Sequence, residues 1–248
     1  ADAYKSVNEA LSHAGLHTAT RVDIHYVDSE TVEHDGGACL AEMDAILVPG
    51  GFGERGLEGK IRAIQWARER NLPFFGICFG MQAMVIEYAR NVAGIEGAHT
   101  SEVAPDCAAP VIDLMREQEG VEDKGGTMRL GAYPCRVVEN TRCAEIYGRD
   151  MVLERHRHRW EFNNDYKAKL EKAGLTCSGE WEARALVEVV ELRDRPFFMG
   201  VQYHPEFKSK PLAPHPLFQA FVGAAIAFQD EAAGDGEDIS QPASASAK

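Results

Sequence analysis

LPFFGICFGMQAMVIEYARNV, residues 72–92, decides the fold. Its first seven residues have the character of a strand buried on both faces, and the chain then passes without a linker into a helical repeat over 80–92. Working outward, 44–48 (DAILV) is a second short apolar run, stopped by Pro49-Gly50-Gly51. Residues 57–70 (LEGKIRAIQWARER) carry Ile61, Ile64 and Ala67 or Arg68 at helical spacing. Residues 3–15 read as an amphipathic helix closed by Gly15 at the C′ position, and 19–27 (ATRVDIHYV) alternate like a strand. Strands joined by helices run parallel. The expected class is therefore α/β, an open, mostly parallel central sheet with helices on both faces.

The second half reads differently. Residues 104–131 are loop-like and rich in glycine and charge, and a stretch of that length inside a domain is usually functional or mobile. Strand patterns follow at 132–138, 150–154, 175–179, 185–192 and 197–203, interrupted by a helix at 163–173, so a small antiparallel part is expected beside the parallel one. A last helix covers 215–229. The residues from 231 to 248 carry almost no large apolar side chain and are expected to be disordered, which leaves one domain over 1–230.

The 248 residues contain 26 Lys and Arg against 39 Asp and Glu, a formal net charge of −13. Nucleic-acid binding and docking to anionic membranes both call for a basic face, so neither is expected. No apolar run approaches the roughly 18 residues of a membrane span, and the first residues lack the pattern of a signal peptide. A cytoplasmic location follows, with the six cysteines read as reduced thiols, none of them in C-x-x-C spacing. No metal site is expected.

Gly76-Ile77-Cys78-Phe79-Gly80 has the form G-x-C-x-G between strand and helix, the thiol relative of a nucleophile elbow. The turn is strained, its flanking positions must be small, and it puts the sulfur at a helix N-terminus, which favours the thiolate. Composition alone yields such a pentapeptide about 0.05 times in a chain of this make-up. A cysteine nucleophile needs a base and a group to orient it. His204 and Glu206 in Gln202-Tyr203-His204-Pro205-Glu206-Phe207 supply both, two residues apart after a strand, where an extended chain points them the same way. An oxyanion needs N–H donors, and the backbone of Phe79 and of Gly51 in Pro49-Gly50-Gly51-Phe52-Gly53 offers them. Glu154-Arg155-His156-Arg157-His158-Arg159-Trp160-Glu161 is a basic cluster in an acidic chain. It is a solvated charge run or a grip for a carboxylate, which arginine suits.

Together and in this order, LVPGGFG (47–53), GICFGMQ (76–82), RHRHRWEFNN (155–164) and VQYHPEF (201–207) resemble the class I (triad) glutamine amidotransferases, a flavodoxin-like arrangement. DAYKSVNEAL (2–11), PGGFGERGLEGKI (49–61), GGTMRLG (125–131) and HPLFQAFV (215–222) are similar, more narrowly, to the glutaminase domains of CTP synthases. The resemblance implies hydrolysis of L-glutamine through a γ-glutamyl thioester. Ammonia then passes to an N-terminal amidoligase domain of the same polypeptide, which uses ATP and magnesium to convert UTP to CTP, with GTP as activator and a tetramer as the full-length assembly. It assigns Cys78 as nucleophile, His204 as base and then acid, and Glu206 as the orienting carboxylate. Gly51 and Phe79 take the oxyanion, and Gly51, Phe79, Gly80, Met81, Gln82, Glu102 and Arg159 bind glutamine. Glu102 suits the α-ammonium and Arg159 the α-carboxylate. It also implies a strand ahead of the first helix, so this chain is expected to lack the first member of its sheet. Phe79, Trp160 and Tyr203 stand where Leu, Tyr and Phe are usual, with no expected loss of activity. The competing readings are a free-standing γ-glutamyl hydrolase or peptidase and a non-catalytic regulatory domain of the same fold. The intact Cys78, His204 and Glu206 oppose the second of these.

Overall fold

The computed structural model describes residues 4–114 and 128–237. The chain opens with helix α1 (Lys5–His17) and a short α2 (Ser29–Asp35), followed by β1 (Ile46–Val48), α3 (Leu57–Glu69), β2 (Phe74–Ile77) and α4 (Phe79–Asn91). Then come β3 (Ala98–Thr100), β4 (Ala109–Leu114), β5 (Arg129–Val137), α5 (Arg142–Tyr147), β6 (Met151–His158) and β7 (Trp160–Phe162). The last elements are α6 (Lys167–Lys172), β8 (Thr176–Trp181), β9 (Leu186–Glu191), β10 (Phe198–Val201) and α7 (Pro216–Glu237).

Seven strands form one sheet in the order β1-β2-β10-β9-β8-β5-β6, and β3, β4 and β7 form a second. Residues of β2 and β10 alternate between two cores. Phe74 and Phe198 face the layer of α3 and α4, their rings 4.8 Å apart. Phe75, Ile77, Met199 and Val201 face the layer of α1, α5 and α7, where Phe75 meets Phe218 edge-on at 5.3 Å. Helices therefore cover both faces, as the α/β class requires.

The balance of strand directions differs from the expectation of a mostly parallel sheet. β1, β2 and β10 pair parallel, whereas β10, β9, β8, β5 and β6 pair antiparallel in succession. The cause is connection length. β8 and β9 are joined by a tight turn at Glu182–Arg184, and β9 and β10 by residues 192–197 alone, too little chain for a parallel crossover. The parallel trio matters for the site. The C-terminal ends of its strands share one edge, and they lead directly into Pro49-Gly50-Gly51, Cys78 and Gln202-Tyr203-His204.

Other local expectations shift for physical reasons. Residues 20–28 form no strand. They line, with residues 42–49 and part of α7, a cavity of about 860 Å³, so their alternating side chains have no ladder beside them. Gly15 lies inside α1 and not beyond it. A Cβ there would stand 2.6 Å from the Thr20 carbonyl oxygen, so its smallness serves the close return of the chain. The 104–131 stretch contains β4 and the start of β5, and its residues 115–127, including Gly125 and Gly126 of GGTMRLG, lie outside the described residues. α7 continues to Glu237, past the expected end at 229, and residues 238–248 of the tail also lie outside. Among the described residues no helix is long and apolar enough to cross a membrane. Nor do three or more His, Cys, Asp or Glu side chains there form a group arranged to hold a metal ion.

Two glycines test the packing in opposite directions. A Cβ on Gly80 would lie 2.1 Å from the Val48 carbonyl oxygen, whereas one on exposed Gly223 of α7 meets nothing within 4 Å. Gly80→Ala is expected to lose about 1–3 kcal/mol in urea denaturation, and Gly223→Ala to gain about 0.5–1 kcal/mol.

Candidate active site

The strand-to-helix turn is as tight as its glycines demand. Cys78 adopts φ 52° and ψ −103°, a left-handed conformation that costs a non-glycine residue about 1–3 kcal/mol. A Cβ on Gly76 would be 2.7 Å from the Gly80 carbonyl, and Gly80 in turn rests on β1 at Val48. The Cys78 N–H donates to the Val201 carbonyl at 2.7 Å, which ties the turn to β10. Cys78 is buried and sits at the N-cap of α4, whose first N–H groups have no intrahelical acceptor.

His204 arrives from β10, its N–H bonded to the Arg155 carbonyl of β6 at 2.8 Å. Its Nδ1 donates to Glu206 Oε1 at 2.7 Å, leaving Nε2 as the nitrogen available to the Cys78 sulfur. Residues 204–206 are not extended as the spacing implied. Pro205 begins a 3₁₀ turn (Pro205–Lys208), and this turn brings the carboxylate back to the ring, while Phe207 stacks on His204 at 5.3 Å. Burial works against the imidazolium. Hydrogen bonds to Cys78 and Glu206 outweigh it and raise His204 to about 10.

The glycine loop after β1 closes over this pair. A Cβ on Gly50 would stand 2.8 Å from His204 Cε1 and 3.6 Å from Cys78 Cβ, and one on Gly51 would touch the Phe79 ring at 3.8 Å. Phe52 at the loop tip is 87% exposed. Gly53 N–H donates to Glu102 Oε1 at 3.3 Å. Burial raises the Glu102 carboxyl, and the Gly53 N–H and the nearby Arg159 charge oppose that. Arg159 is the single residue between β6 and β7, where the chain crosses from one sheet to the other. Gln82, on the first turn of α4, is buried and donates through Nε2 to the Trp160 carbonyl at 2.9 Å and to Gln202 Oε1 at 3.3 Å. Gly80 and Met81 lie between it and Cys78, both buried.

The Arg-His run is strand, not loop. Along β6, Arg155 and Arg157 point to solvent while Glu154, His156 and His158 point inward, so the charge run is solvated on one face only. The inward face continues into a buried polar layer. Arg129 Nη2 and Glu188 Oε1 are 2.7 Å apart, and His156 Nδ1 lies 3.1 Å from His158 Nε2. Burial pushes His158 down to about 3 and His156 lower still, with Arg129 adding to both, so both rings are neutral. Burial pushes Glu161 up to about 8 and Glu188 up to about 7, both against the pull of Arg129.

Sequence reasoning missed Arg129, Glu188 and Gln202, all buried here. Gln202 stands two residues ahead of His204 and Arg129 within the GGTMRLG run, whereas Glu188 lies in no motif. The other five cysteines are free, and burial raises Cys177 to about 12 and Cys135 and Cys143 further.

Comparison with known proteins agrees with this geometry. The family model described as glutamine amidotransferase class-I matches residues 1–224. A CTP synthase of Clostridium perfringens is 58% identical over 226 residues, which are 91% of this chain and 42% of the relative. A CTP synthase of Geobacter sulfurreducens is 55% identical over 93% of this chain and 43% of the relative. The chain thus spans less than half the length of these curated relatives. The solved glutaminase domain of a Trypanosoma brucei CTPS with bound acivicin superposes with a TM-score of 0.85 at 40% identity, covering 92% of this chain and 89% of that one. The chain therefore belongs to the class I glutamine amidotransferases and, among them, to the glutaminase domains of the CTP synthases.

Proposed function

We propose that the chain hydrolyses L-glutamine to glutamate and ammonia through a thioester on Cys78. The observation that carries this reading is the strained elbow, which presents a cysteine at a helix N-terminus beside a histidine held at 2.7 Å by a buried carboxylate. The Cys78 sulfur attacks the side-chain amide carbon, and the carbonyl oxygen becomes an oxyanion. The Phe79 and Gly51 N–H groups receive it. His204, carrying the thiol proton, hands that proton to the departing nitrogen, and ammonia leaves a γ-glutamyl thioester. His204 then takes a proton from water, the resulting hydroxide attacks the thioester carbon, and glutamate departs from the regenerated thiolate. Glu206 keeps Nδ1 protonated and Nε2 aimed at the sulfur throughout.

In this reading Arg159 binds the α-carboxylate and Glu102 the α-ammonium. Their mutual attraction across the site supports the pairing. Gln82 and the backbone of Gly51 and of Phe79, Gly80 and Met81 hold the rest of the substrate. Ammonia passes to an amidoligase part of the longer polypeptide, which makes CTP from UTP. ATP and magnesium would be bound by that part, and GTP would act as activator of glutamine hydrolysis. Exposed apolar side chains next to the catalytic turn and the glycine loop, namely Phe52, Leu130, Leu153 and Phe207, support a docked partner on this side.

Cys78→Ala is expected to abolish release of glutamate from glutamine, and retained hydrolysis would remove Cys78 from the nucleophile's role. Arg159→Ala is expected to weaken glutamine binding by about 2–4 kcal/mol, seen as a rise in KM. A change confined to kcat would give Arg159 a different task.

A further inference from the structure

We propose that Gln202 is a positioning residue for the nucleophile. Its side-chain amide donates to Cys78 Sγ, and a buried hydrogen-bond chain through Gln82 to the Trp160 carbonyl dictates its orientation. The contact is Gln202 Nε2 to Sγ at 3.8 Å. On another side the sulfur lies 3.9 Å from the Arg157 carbonyl, an acceptor that suits a thiol and not a thiolate. Beside His204, a second donor steadies the sulfur when it is ionised, and Gln202 supplies it.

The orientation follows from which atoms can only accept. His158 Nδ1 is 3.0 Å from the Trp160 carbonyl oxygen, so this nitrogen carries the proton. The ring is neutral, so its Nε2 is bare and accepts from His156 Nδ1 at 3.1 Å. The Trp160 carbonyl also takes a hydrogen bond from Gln82 at 2.9 Å. That contact fixes the Gln82 amide with its NH₂ toward the carbonyl, since the flipped form would set oxygen against oxygen. The second hydrogen of the same NH₂ group then meets Gln202 at 3.3 Å, so Gln202 must turn its oxygen to Gln82 and its NH₂ to Cys78. The Gln202 backbone is held as well, its N–H bonded to the Glu188 carbonyl at 2.9 Å. Gln202 is fully buried, where an amide left in either orientation at random would cost far more than one with fixed partners. The titratable group bonded to the sulfur is His204, with Glu206 behind it on the turn after β10; His156 and His158 on β6 feel the charges of His204 and of Arg129 on β5.

The kinetic part of the test rests on the glutaminase reading, and the chemical part does not. Gln202→Met keeps length and removes the donor, and Gln202→Glu keeps shape and sets a carboxylate oxygen against the sulfur. Alkylation by iodoacetamide is followed at Cys78 by peptide mass spectrometry as a function of pH, beside kcat and KM for glutamine. The proposal expects the alkylation midpoint to move to higher pH in both variants, by about one pH unit or more in Gln202→Glu, which is about a tenfold slower reaction at neutral pH. It expects kcat to fall by more than about tenfold with KM changed by less than about threefold. A natively folded Gln202→Met with the parent's alkylation profile and kcat would overturn it. If neither variant folds, the parent decides. The side-chain amide proton resonances of Gln202 must shift over the pH range in which Cys78 becomes reactive, and an amide indifferent to that range overturns the proposal. A parent chain that alkylates at Cys78 but releases no glutamate would sink the functional reading alone.

Discussion

The structure depends on one tight turn. Cys78 is held in a left-handed conformation because everything around it is already fixed. Gly76 and Gly80 are in backbone contact, Gly80 presses on β1, and the Cys78 N–H is committed to β10. No side chain larger than hydrogen fits at either flanking position, so the three parallel strands and α4 define the place of the sulfur to within the tolerance of packed backbone. A strain of about 1–3 kcal/mol is small against the two cores that enforce it.

The two halves of the large sheet contribute in different ways. The parallel trio brings its three strand ends together, and with them the glycine loop, Cys78 and His204. The antiparallel strands add a buried polar layer beneath the site and end it at Arg159, where β6 gives way to β7. In that layer, burial drives both histidines neutral, and neutrality is what gives each ring one donor and one acceptor. Direction in the hydrogen-bond chain is thus a consequence of desolvation. The same burial acts on His204 but loses there to hydrogen bonds with Cys78 and Glu206. Neighbouring rings in one fold therefore reach opposite protonation states.

Legibility in the sequence follows the range of the interactions involved. The elbow, α3, α4 and the parallel strands were readable because their causes are local: small residues flanking Cys78, helical spacing in 57–70, apolar runs at 44–48 and 72–78. The strand direction of the second half was not, since it is set by which connections are too short to cross over. Residues 19–27 alternate as a strand should, yet alternation does not supply a neighbour to pair with. The RHRHR run hides a strand because its charge suggests a solvated surface, whereas its alternating histidines are buried. Cys78, His204 and Glu206 announced themselves by spacing, and Glu102 only by resemblance. Gln202, Arg129 and Glu188 act through contacts with residues far away in the chain, which no local pattern encodes.

The central claim is that this fold singles out one sulfur among six as a nucleophile toward the glutamine side chain. Treating the chain with a glutamine-like diazoketone and mapping the adduct by peptide mass spectrometry tests it directly. The account predicts one covalent adduct per chain, on Cys78, formed more slowly when glutamine is present. An adduct on any other cysteine, or none on Cys78 in a folded chain, would contradict it.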